Sequence, residues 1–157
     1  MFPTGTENVI YTFGGFNGAY PVAGLMNVNG TLYGTTTVDD AYGTFGNYGT
    51  AFSISTSGSL ATLHNFGSGS DGGGPAAPLL NMKSTLYETT EAGGAYGKGT
   101  IFRMSLTGSN ERVLHSFGHG SDGATPLAGL IDVKGTLYGT TSAGGANGNG
   151  TVFALTP

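Results

Sequence analysis

The sequence contains no cysteine, and this absence excludes disulfides, thiolate metal sites, iron–sulfur clusters and cysteine nucleophiles together. Charge is also scarce, since charged residues make up 9% of the chain against about 25% in a typical protein. Only five residues are Lys or Arg, so there is no basic patch that could displace counterions from a nucleic acid. We therefore expect no nucleic-acid partner.

Long apolar segments are absent as well. There is no run of 18 apolar residues, so we expect no membrane span. The first six residues lack the basic and apolar regions of a signal peptide. With three histidines and no histidine-rich cluster, the sequence does not favour a transition-metal site, and we expect neither a metal nor a cofactor.

Glycine and aromatic residues are plentiful. Glycine accounts for 31 of the 157 residues without the three-residue period of collagen, and 11% of the residues are aromatic. Eight Tyr and nine Phe can nucleate a core, which a disordered linker could not. No segment has a convincing helical period. This composition predicts an all-β fold with many glycine-rich connections.

The chain repeats itself three times. Each copy contains a tyrosine in Thr-Leu-Tyr and a phenylalanine in Gly-Thr-x-Phe. The tyrosines are Tyr33, Tyr87 and Tyr138, and the phenylalanines are Phe52, Phe102 and Phe153. The unit is about 51 residues long, which is typical of propeller blades. We interpret residues 1–157 as a single repeat domain with repeats at 8–59, 60–110 and 111–157, the first of which has four extra residues within 39–47.

Each unit is predicted to contain four short antiparallel strands. In the third unit the first three strands are predicted at 128–133, 136–141 and 150–155, and the fourth type is the segment 113–117 that precedes the unit. Asn29-Gly30 and Lys134-Gly135 separate two strands by two residues, which predicts tight hairpins. We expect the repeated apolar residues to form the core. They are Leu25, Leu32, Phe52, Leu79, Leu86, Phe102, Leu130, Leu137 and Phe153, with Phe13, Phe66 and Phe117.

Two segments resemble a known family. They are Leu-His-Ser-Phe-Gly-His-Gly-Ser-Asp-Gly-Ala-Thr-Pro (114–126) and Leu-Tyr-Gly-Thr-Thr-Ser-Ala-Gly-Gly-Ala-Asn-Gly-Asn-Gly-Thr-Val-Phe-Ala-Leu-Thr-Pro (137–157). Both are similar to the tandem GloVer repeat of bacterial surface proteins with varied anchoring ends. The resemblance implies propeller-like repeats and an extracellular or cell-surface location. It implies no established reaction and no catalytic residues.

Three four-stranded blades are too few for a ring, because propellers usually have four to eight. The chain opens with a strand of the fourth type at 9–13 and ends after a strand of the third type at 150–155. If the N-terminal strand completes the last blade of a second copy, two chains close a six-bladed β-propeller homodimer. The alternative is a single-chain threefold fold similar to a β-trefoil.

One end of such a fold collects the long polar loops, because the connections from fourth to first and from second to third strands emerge there. Flat aromatic rings beside polar side chains suit sugars, so this end predicts a carbohydrate site. The candidate ligand-binding residues are Tyr42, Tyr48, Tyr96, Asp71 and His119. Asp71 recurs as Asp122 in Gly-Ser-Asp-Gly, where Asp before Gly is also a common turn former. His64 and His115 fit packed rings with one hydrogen bond better than ligands.

The second repeat breaks the pattern with two carboxylates. Glu88 stands where the other repeats have Gly34 and Gly139, and Glu91 follows three residues later. A glycoside hydrolase needs such a pair, one as acid and one as nucleophile or base, and Asp122 is a further candidate. Residues i and i+3 of a regular strand point to opposite faces, which opposes this pairing.

Three functions fit these patterns. The first is a glycan-binding propeller module, and the second is a glycoside hydrolase on the same scaffold. The third is a structural or adhesive surface repeat without a small-molecule site.

Overall fold

The computed structural model describes residues 5–38, 48–67 and 70–157, and within these ranges the chain forms only strands, turns and loops. The first sheet is a meander of β1 (Met26–Val28), β2 (Thr31–Thr36), β3 (Thr50–Ser55) and β4 (Leu60–Asn65). The second is a meander of β5 (Leu80–Met82), β6 (Thr85–Thr90), β7 (Thr100–Ser105) and β8 (Arg112–Ser116). All pairings in both are antiparallel. The predicted all-β class and four-stranded unit are confirmed.

The remaining strands belong to the third repeat. A small sheet pairs β9 (Gly123–Ala124) with β12 (Ala143–Gly144). The third main sheet has the order β10 (Ile131–Val133), β11 (Thr136–Thr141) and β13 (Thr151–Leu155). β11 matches its predicted bounds, β13 begins one residue later than predicted, and β10 forms only in the second half of the predicted 128–133 segment. The small sheet was not predicted, because two-residue strands leave no periodic signal.

Two-residue turns join the first two strands of each main sheet. A type I′ turn requires positive φ at both central residues, which Asn-Gly and Lys-Gly tolerate well. The φ angles are 51° and 87° at Asn29 and Gly30, 50° and 65° at Lys83 and Ser84, and 54° and 88° at Lys134 and Gly135. The predicted hairpins are confirmed, and the second repeat makes the same turn with serine in place of glycine.

Hydrophobic side chains are buried between consecutive sheets, so the second sheet packs on the first and the third packs on the second. The first junction buries Tyr33, Ala51, Phe66, Leu79, Leu86, Phe102 and Met104. The second junction buries Tyr87, Ile101, Phe117, Leu130 and Leu137. These positions correspond to one another in the repeat, and the two junctions are therefore versions of one interface.

A pair of phenylalanines in contact marks both junctions, and a third pair joins the N-terminal segment to the first sheet. The first ring comes from the end of a fourth-type segment and the second from the third strand of the following sheet. Ring centroids are 5.0 Å apart in Phe66–Phe102, 5.1 Å in Phe117–Phe153 and 5.2 Å in Phe13–Phe52. The N-terminal segment therefore lies against the first sheet as β4 lies against the second.

A threonine pair lies at the loop end of each main sheet. In the second sheet the Thr90 and Thr100 hydroxyls are 2.8 Å apart, and the Thr100 backbone N–H donates to Thr90 Oγ1 at 3.1 Å. Gly72 packs directly on this pair, so a Cβ there would lie 2.7 Å from Thr100 Oγ1. The other repeats have the same pair at 2.8 Å, as Thr36–Thr50 under Gly18 and Thr141–Thr151 under Gly123. The glycine of the Gly-Ser-Asp-Gly motif is thereby explained by close packing.

Two expectations about the ends of the fold differ from the structure. Residues 9–13 were predicted to be a strand and form none. Among the described strands, the third-type strand with an unpaired edge is β13, which belongs to the third sheet, whereas residues 9–13 lie against the first sheet. Leu25 was predicted to be a core residue and is 55% exposed, because no sheet covers the first sheet on that side in the part of the chain that is described.

Candidate functional site

The Asp residues of the Gly-Ser-Asp-Gly motif bind histidines of the preceding strands. Asp71 Oδ2 lies 3.0 Å from His64 Nε2, and Asp71 Oδ1 accepts the Gly67 backbone N–H at 3.3 Å. Each histidine ring packs edge-on against the phenylalanine two residues later, with centroids 4.7 Å apart for His64 and Phe66. The prediction of a packed histidine with one hydrogen bond is confirmed.

The third repeat has the same arrangement. His115 Nε2 lies 2.8 Å from Asp122 Oδ2, and Asp122 Oδ1 accepts the Gly123 backbone N–H at 2.8 Å. In the first repeat Asn17 Nδ2 donates to the Tyr11 hydroxyl instead. These pairs fasten the loop after each fourth-type segment to that segment. Both oxygens of Asp71 and of Asp122 make contacts within their own repeat, which favours the turn-forming interpretation of the motif.

Glu88 is buried at the junction between the first and second sheets, with 1% of its surface exposed. Its Oε1 accepts a hydrogen bond from Thr35 Oγ1 of the first sheet at 3.2 Å. Burial raises the pKa of Glu88 well above its usual range, and the Thr35 hydroxyl and the nearby Ala77 backbone amide lower the pKa only in part. Oε2 makes no hydrogen bond of good geometry with the described residues. Burial thus favours the protonated, neutral form of this carboxyl.

Glu91 lies in a different environment. It follows β6 and is exposed, with its backbone N–H donating to Gly74 O at 3.2 Å. Its side chain lies over Gly74, where a Cβ would come 2.8 Å from Glu91 Cγ. Glu88 faces the interior and Glu91 faces solvent, as the strand alternation of residues i and i+3 requires. The structure does not bring the two carboxylates to a shared cleft.

Tyr96 and His119 come from different repeats and meet at the loop end of the fold. Their ring centroids are 5.5 Å apart with the planes inclined by 47°. Tyr96 is 50% exposed and His119 is exposed. Gly118 packs against the stem of Lys98, since a Cβ there would lie 2.7 Å from Lys98 Cγ and 3.2 Å from Tyr96 Cβ. We call Tyr96, Lys98 and His119 the aromatic platform.

Backbone hydrogen bonds fix the loops that carry the platform. The Gly99 N–H donates to Gly93 O at 3.1 Å and closes the loop that contains Tyr96. The Thr125 N–H donates to Lys98 O at 2.9 Å and ties this loop to the one after His119. The platform is thus held in place by main-chain contacts across the second junction.

The other predicted binding residues lie near the first junction or outside the described residues. The Tyr48 ring covers Gly67 and Gly73, where any side chain would overlap it, and 41% of its surface remains exposed. Tyr48 occupies the repeat position of Lys98, and both pack on the glycines of the following loop. Tyr42 and the insertion at 39–47 lie outside the described residues.

Sequence reasoning missed Glu111, which is half-buried beside the His64–Asp71 pair. Burial raises the pKa of Glu111, His64 lowers it by electrostatic attraction, and the negative charge of Asp71 raises it. Glu111 takes the repeat position of Leu60, and nothing local in the sequence indicates this neighbourhood. Within the described ranges no group of three or more His, Cys, Asp or Glu residues is arranged to hold a metal ion.

The fold defines the chain as an all-β protein of tandem repeats whose antiparallel sheets have two to four strands. Over residues 1–157 its sequence matches the family described as the Gloeobacter/Verrucomicrobia repeat, and the chain belongs to that family. The resemblance seen in residues 114–126 and 137–157 is thereby confirmed. A search of the curated proteins finds no match. Across the described ranges there is no helix of the length and apolarity needed to cross a membrane.

Proposed function

We propose that the protein is a glycan-binding module whose ligand site is the aromatic platform. The observation that carries this proposal is the meeting of Tyr96 and His119, two exposed rings from different repeats, with centroids 5.5 Å apart. A sugar offers an apolar ring face that stacks on an aromatic ring and a rim of hydroxyls that take hydrogen bonds. Tyrosine suits such an amphipathic ligand because it combines an apolar body with a polar tip.

The neighbours of the two rings supply the polar part of the site. Lys98 has an ammonium group with three donors, and the His119 ring nitrogens can donate or accept a hydrogen bond. The stem of Lys98 is packed on Gly118, which limits the freedom that binding would remove. By family resemblance we propose that this binding takes place outside the cell or at the cell surface.

The hydrolase alternative has less support. A glycosidase presents two carboxyl groups to the same bond of its substrate. Glu88 is 1% exposed and Glu91 is on the surface, while Asp122 is bound to His115. Of these three carboxylates, that of Glu91 is the one that a substrate could contact without breaking contacts already present in the structure.

We also propose that the three main sheets are blades of a β-propeller, and that two chains close a six-bladed ring through the segment 9–13. The separate four-stranded meanders and the repeated junction support blades over a trefoil, in which strands of all three units share one barrel. This ring also favours the third function, a structural repeat, because the association of two chains would then follow from the fold itself.

Glycan-array screening followed by calorimetric titration of the sugars that bind tests the binding proposal. We expect Tyr96→Ala to weaken binding by about tenfold or more and Tyr96→Phe to retain most of the affinity. His119→Ala is expected to weaken binding as well. Tyr20→Ala is the matched control, because Tyr20 is 69% exposed and belongs to the first repeat. A wild-type protein that binds no sugar on the array, or binding that Tyr96→Ala leaves unchanged, would overturn the proposal.

A further inference from the structure

The row of three sheets has two faces that no other described sheet covers, one on the third sheet and one on the first. Each corresponds to one half of the interface that is repeated inside the chain.

The open face of the third sheet corresponds to faces that are buried in the other two sheets. Val152 is 80% exposed, whereas its equivalents Ala51 and Ile101 are 0% and 1% exposed. Tyr138 is 37% exposed, and its equivalents in the first and second sheets are buried. Val152 and Tyr138 line an open cavity of about 230 Å³ together with Ile131.

The open face of the first sheet is the other half of the interface. Leu25 is 55% exposed, whereas its equivalents Leu79 and Leu130 are 5% and 6% exposed. An open cavity of about 280 Å³ lies on this face, and its walls are mainly apolar. They include Leu25, Phe13, Phe52, Ile54, Ile10 and Tyr11.

The N-terminal segment lies where a preceding sheet would place its fourth strand. Ile10 O packs on Gly58 as Leu63 O packs on Gly108, and Phe13 packs on Phe52 as Phe66 packs on Phe102. β4 and β8 each pair with the third strand of their own sheet, β3 and β7. Residues 9–13 pair with no strand in the described chain, and in the same ranges β13 pairs on one side only. Unpaired strand edges of this kind favour pairing with another chain.

We propose that these two faces bind each other between copies of this chain, so that the Val152–Tyr138 face of one copy packs on the Leu25 face of a second. Residues 9–13 of the second copy then add a fourth strand to β13 of the first. The inference rests on the two-chain ring proposed above and adds which surfaces form the contact. The contact is head-to-tail, and in a closed pair it occurs twice.

The internal junctions are the reason to choose a second copy as the occupant. Ala51 and Leu79 share one buried cluster, and Ile101 and Leu130 share the next. A contact between Val152 and Leu25 would reproduce that pairing of residue types with a surface that this chain itself carries. The apolar area left open in a single chain would thereby be removed from water at both ends.

Light scattering over a dilution series, with aspartate substitutions on each face, tests the inference. We expect the wild type to have a stable mass of twice the 15.7 kDa chain. Val152→Asp and Leu25→Asp should each be monomeric, because each puts a charge into both contacts of the pair. Both positions are already exposed in one chain, so these changes leave the fold of that chain intact, which circular dichroism checks. Val22→Asp is the control, since Val22 is 63% exposed in the connection before Leu25.

Mixing the Val152→Asp and Leu25→Asp variants distinguishes a head-to-tail contact from other ways in which two chains could associate. In a mixed pair one contact carries both aspartates and the other carries none, so a two-chain species should form again. A mixture that stays monomeric would overturn the head-to-tail contact. A monomeric wild type, or a mass that keeps growing with concentration, would overturn the ring as well. A dimeric wild type that both aspartate variants leave dimeric would overturn the faces named here and leave a two-chain assembly standing.

Discussion

Thr35 Oγ1 donates a hydrogen bond to Glu88 Oε1 across the boundary between the first and second sheets, over 3.2 Å. This contact joins two repeats through the one buried carboxyl of the second repeat's β6, at a position where the other repeats have Gly34 and Gly139. A Cβ at Gly34 would lie 2.7 Å from Phe52 Cζ, and one at Gly139 would overlap the Phe153 ring. A side chain at Gly139 would require the Phe153 ring at the second junction to move, whereas Glu88 is accommodated at the first junction.

The first prediction concerns the pH dependence of stability. Burial raises the pKa of Glu88 in the folded chain above the value of about 4.5 that applies when it is unfolded. Between these two pKa values the folded chain binds more protons than the unfolded chain, so the free energy of unfolding falls as pH rises. Glu88→Gln removes the group that binds this proton. We therefore expect the free energy of unfolding of the variant to fall less steeply than that of the wild type above about pH 4.5. Urea unfolding at a series of pH values measures this dependence.

Glu91→Gln is the control for this prediction, because it makes the same chemical change at an exposed position three residues away. We expect its stability to follow that of the wild type throughout the pH range. A Glu88→Gln protein whose stability falls with pH as steeply as the wild type would show that the carboxyl is not held neutral by burial.

The second prediction concerns the glycine that packs on a threonine pair. Gly72 has φ 104°, and an added Cβ would lie 2.7 Å from Thr100 Oγ1. Gly72→Ala therefore combines overpacking with an unfavourable backbone conformation, and we expect a loss of about 2–4 kcal/mol in the free energy of unfolding. Thermal and urea denaturation measure this loss.

Gly97→Ala isolates the backbone part of that effect. Gly97 has φ 69°, but nothing lies within 4 Å of an added Cβ. We expect this variant to lose about 1 kcal/mol, which is the strain of a left-handed conformation without overlap. Equal losses at the two positions would contradict the argument that Gly72 is required by its contact with the threonine pair.

Local signals in the sequence predicted the units of this fold well. Asn29-Gly30 and Lys134-Gly135 indicate type I′ hairpins because the conformation is determined within the dipeptide itself. The strand of 136–141 was predicted residue by residue for a similar reason, since Thr-Leu-Tyr alternates and turn residues bound it. The histidine packing also followed from a short-range pattern, because His64 and Phe66 lie on the same face of one strand.

Features that depend on distant parts of the chain could not be predicted in the same way. Leu25 has the sequence context of a core residue, but its burial depends on a neighbouring sheet that the described residues do not supply. The His64–Asp71 contact depends on how a glycine-rich loop turns back. Tyr96 and His119 were each predicted as site residues, yet their contact across a junction depends on two loop conformations that no periodicity encodes.

The last prediction concerns the hairpin of the second repeat, where Ser84 occupies the position that Gly30 and Gly135 hold in the others. Its φ of 65° lies in the left-handed region, which for a residue with a Cβ costs roughly 1–2 kcal/mol relative to glycine. Replacing Ser84 by glycine would remove this cost, but glycine also makes the unfolded chain more flexible, which lowers the free energy of unfolding by about 0.4–1 kcal/mol. We expect Ser84→Gly to stabilise the protein by about 0.5–1 kcal/mol. Gly135→Ser makes the reverse change in the third repeat, where φ is 88°, and we expect it to destabilise by a similar or larger amount. Urea unfolding of the two variants beside the wild type measures both signs, and a Ser84→Gly protein less stable than the wild type would mean that the serine makes a favourable contact that outweighs its strain.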